Sequence, residues 1–316
     1  DGKLTYNNFN GLIDGQDYVI KNLKRHIVSN IGEEGIIKNI NIENSWGGMI
    51  TDRNKGLISY CSNEDKPIAK DNETGGRIKY CYTSGSIEAG VQKEEVSDGL
   101  WEDSTTLRAV SAKPCGGITN KNDGVIQYCY SVADIYSADL SVYSEDVEKD
   151  TSGSLGGVVG SNYAGQIYDS FSKSNIINSH SDALIGGLAG YSKGSVNKSY
   201  FAGTISSPSE ATVGGIIGTV GGISSQSYYN KDIIGIIPDG DTSNGRTTNE
   251  MTAFYNNDTT YQDWDIGCSW RIEKGLNDGY TRITYCTSTY IEEISSPQEL
   301  LEATYYSSFD SSADYK

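Results

Sequence analysis

The chain has 316 residues, with 25 Lys and Arg against 42 Asp and Glu, a net charge of -17 and a pI near 4.5. That charge repels phosphate backbones and anionic membranes, which argues against nucleic acid as a partner. No apolar run reaches the roughly 18 residues of a membrane span, so no membrane insertion is expected, and the residues after Asp1 lack the basic-then-apolar plan of a secretory signal. With 37 Gly and 23 Tyr but only 5 Phe and 2 Met, the composition suits short strands and tight turns, and an all-β fold is expected.

In chain order, the first 45 residues alternate apolar and polar positions. FNGLIDGQDYVIKNL (9–23) and IIKNINI (36–42) read as strands joined by Asp-Gly and Asn turns, with an N-terminal cap before or within them. GGMI at Gly47 is followed by LISYC and RIKYC, 20 residues apart. Residues 88–113 and the acidic stretch 143–154 break the pattern and are expected to be inserted loops, the usual place for binding function on a repeat scaffold.

The pattern itself is a repeat. GGITNKNDGVIQYCYSVADI (116–135), GGVVGSNYAGQIYDSFSKSNI (156–176), GGLAGYSKGSVNKSYFAGTI (186–205) and GGIIGTVGGISSQSYYNKDI (214–233) share a Gly-Gly opening, an apolar run, a polar turn, an Ile or Val, a small residue, an aromatic and a closing Ile. One such unit cannot bury its apolar side chains alone, so a stacked architecture follows. The openings at 156, 186 and 214 lie 30 and 28 residues apart, room for three strands of about five residues. Val158, Val159, Leu188, Ala189, Ile216, Ile217, Ile167, Val196 and Ile223 are expected to point inward, with glycines at corners where φ is positive. The last copy carries one extra residue between Ile223 and Ser227, which predicts a different turn or a bulge.

Of six cysteines, Cys61, Cys81 and Cys129 lie in Ile-x-x-Cys, where later copies place Ser170 and Ser199. A position that takes Cys or Ser from copy to copy is a slot for a small stacked side chain, not half of a disulfide. Cys268 and Cys286 flank the C-terminal segment and are the candidates to pair.

After Pro238 the repeat gives way to a polar region and then to Trp264 and Trp270, which read as a cover for the last apolar rung. SPQELLEA (296–303) has Ser as N-cap, Pro in the first turn and Glu three residues after the Ser, predicting a short C-terminal helix. The expected organisation is a β-helix with caps and inserted loops over 1–285, closing through 250–285, then an extension over 286–316.

The Gly-Gly units resemble the GLUG-type repeats of large bacterial surface proteins, including adhesin-like proteins and the non-catalytic part of some immunoglobulin A proteases. The opening FNGLIDGQDYVIKNL, the closing MTAFYNNDTTYQDWDIGCSWRI and NDGYTRI resemble the flanks of such repeats, so the likeness covers most of residues 4–285. It implies a right-handed parallel β-helix, a solenoid, on a secreted or cell-surface bacterial protein, and says little about activity.

Little chemistry competes with that expectation. His26 and His180 lack metal-site spacing, and HExxH and CxxC are absent, so neither a metal nor a cofactor is expected. Calcium near Asp239 and Asp241, with Asn244, is a weaker alternative to an ordinary polar turn. Polysaccharide lyases and hydrolases need clustered carboxylates, for which Asp169, Asp232, Asp239 and Asp241 are candidates. However, Asp169 occupies the position of Lys198 and Tyr128, a solvent position.

Two tyrosine sets flank the slot: Tyr82, Tyr130, Tyr200 and Tyr228 on one side, and Tyr60, Tyr80, Tyr128, Tyr168 and Trp101 out of phase with them. Strand alternation predicts that one set faces out, and Trp101, Tyr128 and Tyr168 are the candidate ligand-binding residues. The expected function is non-catalytic binding of a host or bacterial surface protein or glycan, by a monomeric segment of a longer extracellular chain. The alternatives are a carbohydrate-active enzyme and a structural spacer.

Overall fold

The computed structural model describes residues 8–44, 47–97, 105–144, 147–150, 152–219, 223–236, 238, 242–252, 260–266, 268–272 and 276–284. The N-terminal cap before residue 8, the helix over 296–303, Trp101, Cys286, Asp239 and Asp241 lie outside them. By contacts the chain falls into two units, Asp1–Thr248 and Asn249–Lys316.

The first unit is all-β and built from stacked passes of the chain. Each pass lays its strands in parallel register beside those of the pass before, giving long parallel sheets and a β-helix-like fold. Early passes have three strands, as in Thr51–Asn54, Leu57–Ser59 and Ser62–Glu64. Later passes have five: Ser154–Gly156, Val159–Asn162, Gln166–Tyr168, Phe171–Ser172 and Asn175–Ile177. The three longer strands expected from the 28- to 30-residue repeat are therefore corrected to five strands of two to four residues. The added strands form two further four-stranded sheets, which begin at Ser86–Glu88 and Cys115–Gly116.

Register turns the repeat into columns. Ile37, Ile58, Ile78, Ile126, Ile167 and Val196 lie one above another and are fully buried. Ile87, Ile135, Ile176 and Ile205 form a second column, and Leu155, Ile185 and Val213 a third. Each such side chain contributes about 2 kcal/mol by leaving water. Ile223 departs from the expected inward set and is 68% exposed. Its strand keeps register from Ser227 backwards, so Ser224 pairs with Val196, and the one-residue offset turns Ile223 outward.

The Cys-or-Ser slot is as expected. Cys61, Cys81, Cys129 and Cys115 are buried free thiols, whereas Cys268 is disulfide-bonded. Cys81 Sγ donates to the Lys79 carbonyl at 3.2 Å, as Ser170 Oγ does to that of Tyr168 at 3.0 Å and Ser199 Oγ to that of Asn197 at 2.8 Å. The serines also accept from the slot residue one pass earlier: Cys129 N–H donates to Ser170 Oγ at 3.2 Å and Ser170 N–H to Ser199 Oγ at 3.1 Å. Burial pushes the Cys115 thiol up from 9.0 to about 12 and the Cys81 thiol well above its usual value.

A second polar column runs through the interior. Asn54 Nδ2 donates to Asn72 Oδ1, Asn72 to Asn122 and Asn122 to Asn162, each at 2.8 Å, and Asn162 donates to Ser192 Oγ at 3.0 Å. All five are essentially fully buried. Each closes one strand of the same sheet, and Asn54 Oδ1 also accepts from Gly56 N–H at 3.2 Å, bracing the corner that follows.

The Gly-Gly openings answer a need for space. A Cβ on Gly186 would stand 2.0 Å from the Ala189 carbonyl oxygen, and one on Gly187 would stand 2.4 Å from the Phe201 ring. None of the glycines in the openings at 116, 156, 186 and 214 has a positive φ, contrary to expectation. The left-handed conformation falls instead on the residue before the slot, at Asn39, Tyr60, Tyr80, Tyr128, Asp169, Lys198 and Gln226, with φ from 45° to 55°. A one-residue corner must swing the chain from one sheet to the next there; its side chain is half-buried from Tyr60 onwards, while Asn39 is buried and donates its amide to Asp14 at 3.0 Å.

In the second unit, Trp270 is fully buried, with ring centroids 4.7 Å from Trp264, which lies 4.8 Å from Tyr261. Tyr261 donates its hydroxyl to the Met251 carbonyl at 3.0 Å.

Three outcomes are expected. Asn122→Ala leaves Asn72 and Asn162 each short of a buried partner and destabilises the fold by about 2–4 kcal/mol in urea denaturation. The buried thiols resist alkylation until denaturant is added. Because the Cys115 pKa is raised on folding, its share of stability is complete below pH 9.0 and is lost as pH rises towards about 12; Cys115→Ala flattens that decline in alkaline denaturation curves.

Candidate binding surfaces

The left-handed corner places one aromatic column outside the core. Tyr60 stacks on Tyr80 with centroids 4.9 Å apart, and Tyr80 on Tyr128 at 4.8 Å, their planes nearly parallel at 4° and 17°. The second set follows the slot: Tyr82, Tyr130, Phe171 and Tyr200 stack at 5.1, 4.9 and 4.9 Å. The corner set is the one that faces outward, and the second set is outside the core as well at its start. Residues 80 and 82 flank the same inward Cys81, so both leave the core, on the two sides of the corner. The second ladder runs from exposed Tyr82 to buried Phe171 and Tyr200.

Of the predicted ligand residues, Tyr128 and Tyr168 are brought together, both half-buried. Tyr168 pairs with Gln127, next to Tyr128. Burial first, then the neighbouring Tyr128 and Asp169, raise the Tyr168 phenol above its usual value. Asp169 and Lys198 share the corner position with Tyr128, as the sequence indicates. In a stacked ladder, however, the rings cover one another's faces, leaving edges and hydroxyls to solvent.

The two interruptions are not separate loops. Val91–Ser97 and Thr105–Ala112 form an antiparallel hairpin, and Glu148–Asp150, from the second interruption, pairs in parallel with its return strand. Pairing sets the faces of this three-stranded sheet. Gln92 lies opposite Ser111 and Ser111 opposite Asp150, while Glu94 lies opposite Ala109 and Ala109 opposite Glu148. Small Ala109 and Ser111 thus form the floor of a trough of about 250 Å³, walled by Gln92 and Glu94 on one side and by Glu148 and Asp150 on the other. Alternation sends Val110 the other way, into the core. Hydrogen bonds from the Ser152 side chain and backbone hold the Asp150 carboxyl below its usual range. The trough is invisible to sequence periodicity because its walls come from strands about 50 residues apart in the chain.

Several other titratable groups are engaged in structure, whereas Asp71 Oδ1 is buried without a hydrogen-bond partner and burial raises its carboxyl above the usual range. His26 Nε2 lies 3.2 Å from Asp52, and its Nδ1 accepts from Met49 N–H at 3.4 Å. His180 Nε2 lies 2.8 Å from the Ala138 carbonyl. Asp232 accepts from Thr248 N–H at 2.7 Å. Among the described residues, no group of three His, Cys, Asp or Glu is placed to hold a metal.

No family model matches the sequence, and no curated protein matches it. Among solved structures the chain is similar to that of a putative immunoglobulin A1 protease from Bacteroides ovatus, with 17% sequence identity and a TM-score of 0.48, over 86% of this chain and 76% of that one.

The corner ladder predicts a separation of backbone from ring effects. Tyr80→Asn keeps a residue suited to the left-handed corner and loses two ring stacks, costing about 1–2 kcal/mol. Tyr80→Val loses the stacks and strains the corner, and is expected to lower the urea midpoint further.

Proposed function

We propose that this chain is a non-catalytic, extracellular binding domain of a bacterial surface protein, a closed right-handed parallel β-helix carrying a side sheet that recognises a protein partner. The trough is the observation that carries this reading. Later passes join the same two sheets through 178–183 and 207–211 alone, between Asn175–Ile177 and Leu184–Gly186 and between Thr204–Ser206 and Thr212–Gly214. Residues 91–112 and 148–150 are therefore not needed to complete a pass. They build instead a concave face walled by Glu94, Glu148 and Asp150. Such a face suits a basic segment, and the net charge of -17 favours its approach. The GLUG-like repeats support a place on a bacterial surface.

The alternative of a polysaccharide lyase or hydrolase asks for a carboxyl whose pKa is raised to act as an acid. Within the trough Asp150 is shifted the other way, so the trough itself suits binding; the carboxyl that burial raises, Asp71, stands outside the trough, paired in register with Arg53 and Lys121.

Titration with synthetic Lys- and Arg-rich peptides, beside Asp- and Glu-rich controls, tests the proposal by calorimetry. Basic peptides are expected to bind, more weakly as salt rises, and Glu94→Gln/Glu148→Gln/Asp150→Asn is expected to weaken them about tenfold. Equal binding by the triple variant refutes the trough; polysaccharide turnover abolished by Asp150→Asn establishes the enzyme instead.

A further inference from the structure

We propose that the basic segment binds by strand addition: an extended chain pairs with the free edge of Glu148–Asp150 and carries Lys or Arg at alternate positions, with a residue that is not basic between them. This rests on the reading of the trough as a site for a basic protein segment, and assigns that segment its conformation and its sequence class.

The side sheet ends at an open edge. Its strands run in the order Val91–Ser97, Thr105–Ala112, Glu148–Asp150. All three residues of the last strand are exposed, and among the described residues no backbone group pairs with its outer side. Such an edge leaves N–H and C=O groups pointing at solvent, a template for one more strand.

The side chains beside that edge alternate in charge. Glu148 and Asp150 line the trough with Ala109 and Ser111, whereas Lys149 pairs with Val110 and shares its opposite face. An added strand continues these rows at a spacing of about 4.8 Å. Its residues i and i+2 then lie beside Glu148 and Asp150, and residue i+1 lies beside Lys149. Basic side chains at i and i+2 meet carboxylates directly, and a basic side chain at i+1 meets a like charge.

The floor explains how long side chains are housed. In one row Glu148 is followed by Ala109 and then Glu94, and in the other Asp150 is followed by Ser111 and then Gln92. Because Ala109 and Ser111 are small, a Lys or Arg leaning inward from the added strand has the trough of about 250 Å³ for its head group. Asp150 Oδ1 is braced by the Ser152 N–H at 2.9 Å, which fixes one carboxylate before the segment arrives. A helix fits poorly: its basic residues align at i and i+4, about 6 Å apart along an axis whose body is roughly 10–12 Å wide, and it offers the edge no backbone partner.

The test compares peptides of one composition by calorimetry on the whole chain: Lys-Glu-Lys-Glu-Lys-Glu, the block peptide Lys-Lys-Lys-Glu-Glu-Glu, and the alternating peptide N-methylated at every second amide in each of the two phases. The alternating peptide is expected to bind about tenfold more tightly than the block peptide, and one methylation phase to abolish binding while the other leaves it. Lys149→Glu, on the exposed face away from the trough, is expected to remove the preference for alternation. If the block peptide binds as tightly, or neither methylation phase weakens binding, while Glu94→Gln/Glu148→Gln/Asp150→Asn still does, strand addition is overturned and the trough stands as a site for basic segments. If none of the peptides binds, both readings fall.

Discussion

In-register parallel stacking governs this molecule. Once one pass lies on the last with each residue over its counterpart, every position becomes a column, and a column accepts only side chains that tolerate a like neighbour at strand spacing. Aliphatic residues tolerate it by packing, as in the column from Ile37 to Val196. Serine tolerates it by giving its proton to its own pass and taking one from the previous pass. Asparagine tolerates it by offering a donor above and an acceptor below. Tyrosine tolerates it by laying ring on ring. A buried carboxylate column meets none of these conditions, and the acidic character of the chain is carried outside the stack.

The same constraint decides what could be read from the sequence. The slot was legible because Cys61, Cys81, Cys129, Ser170 and Ser199 share smallness despite different chemistry. Columns of Ile were legible because Ile and Val recur at one phase. The five-stranded pass was not, since strands such as Phe171–Ser172 are too short to show a period of two. The left-handed corner was hidden by its own tolerance: Tyr, Asp, Lys and Gln all occupy it, and none announces a positive φ as glycine does. The asparagine column ends the segments TDRN, AKDN, TNKN and GSN, but an isolated Asn reads as a turn signal before it reads as a buried ladder.

The candidate surfaces were legible in inverse proportion to how far their residues lie apart. Tyr128 and Tyr168 could be named from the repeat, but not the mutual covering of ring faces that changes what the ladder can offer. The interruptions were visible as breaks in the pattern. Their union into one sheet depends on strand pairing between residues 109–111 and 148–150, which no local signal encodes.

The buried asparagine column also has a direction. Every amide in it donates towards the C-terminal pass, and Asn72, Asn122 and Asn162 each accept from the N-terminal one, so the bond dipoles add along the stack. The stack is thereby polar, with a head that lacks a donor above it and a tail that must supply a final acceptor. Ser192 is that tail: its hydroxyl receives the last amide proton and passes its own to the Gly194 carbonyl. Substituting a hydroxyl for an amide ends the relay without leaving a buried amide unmatched, which makes the column a built-in measure of how many passes share it.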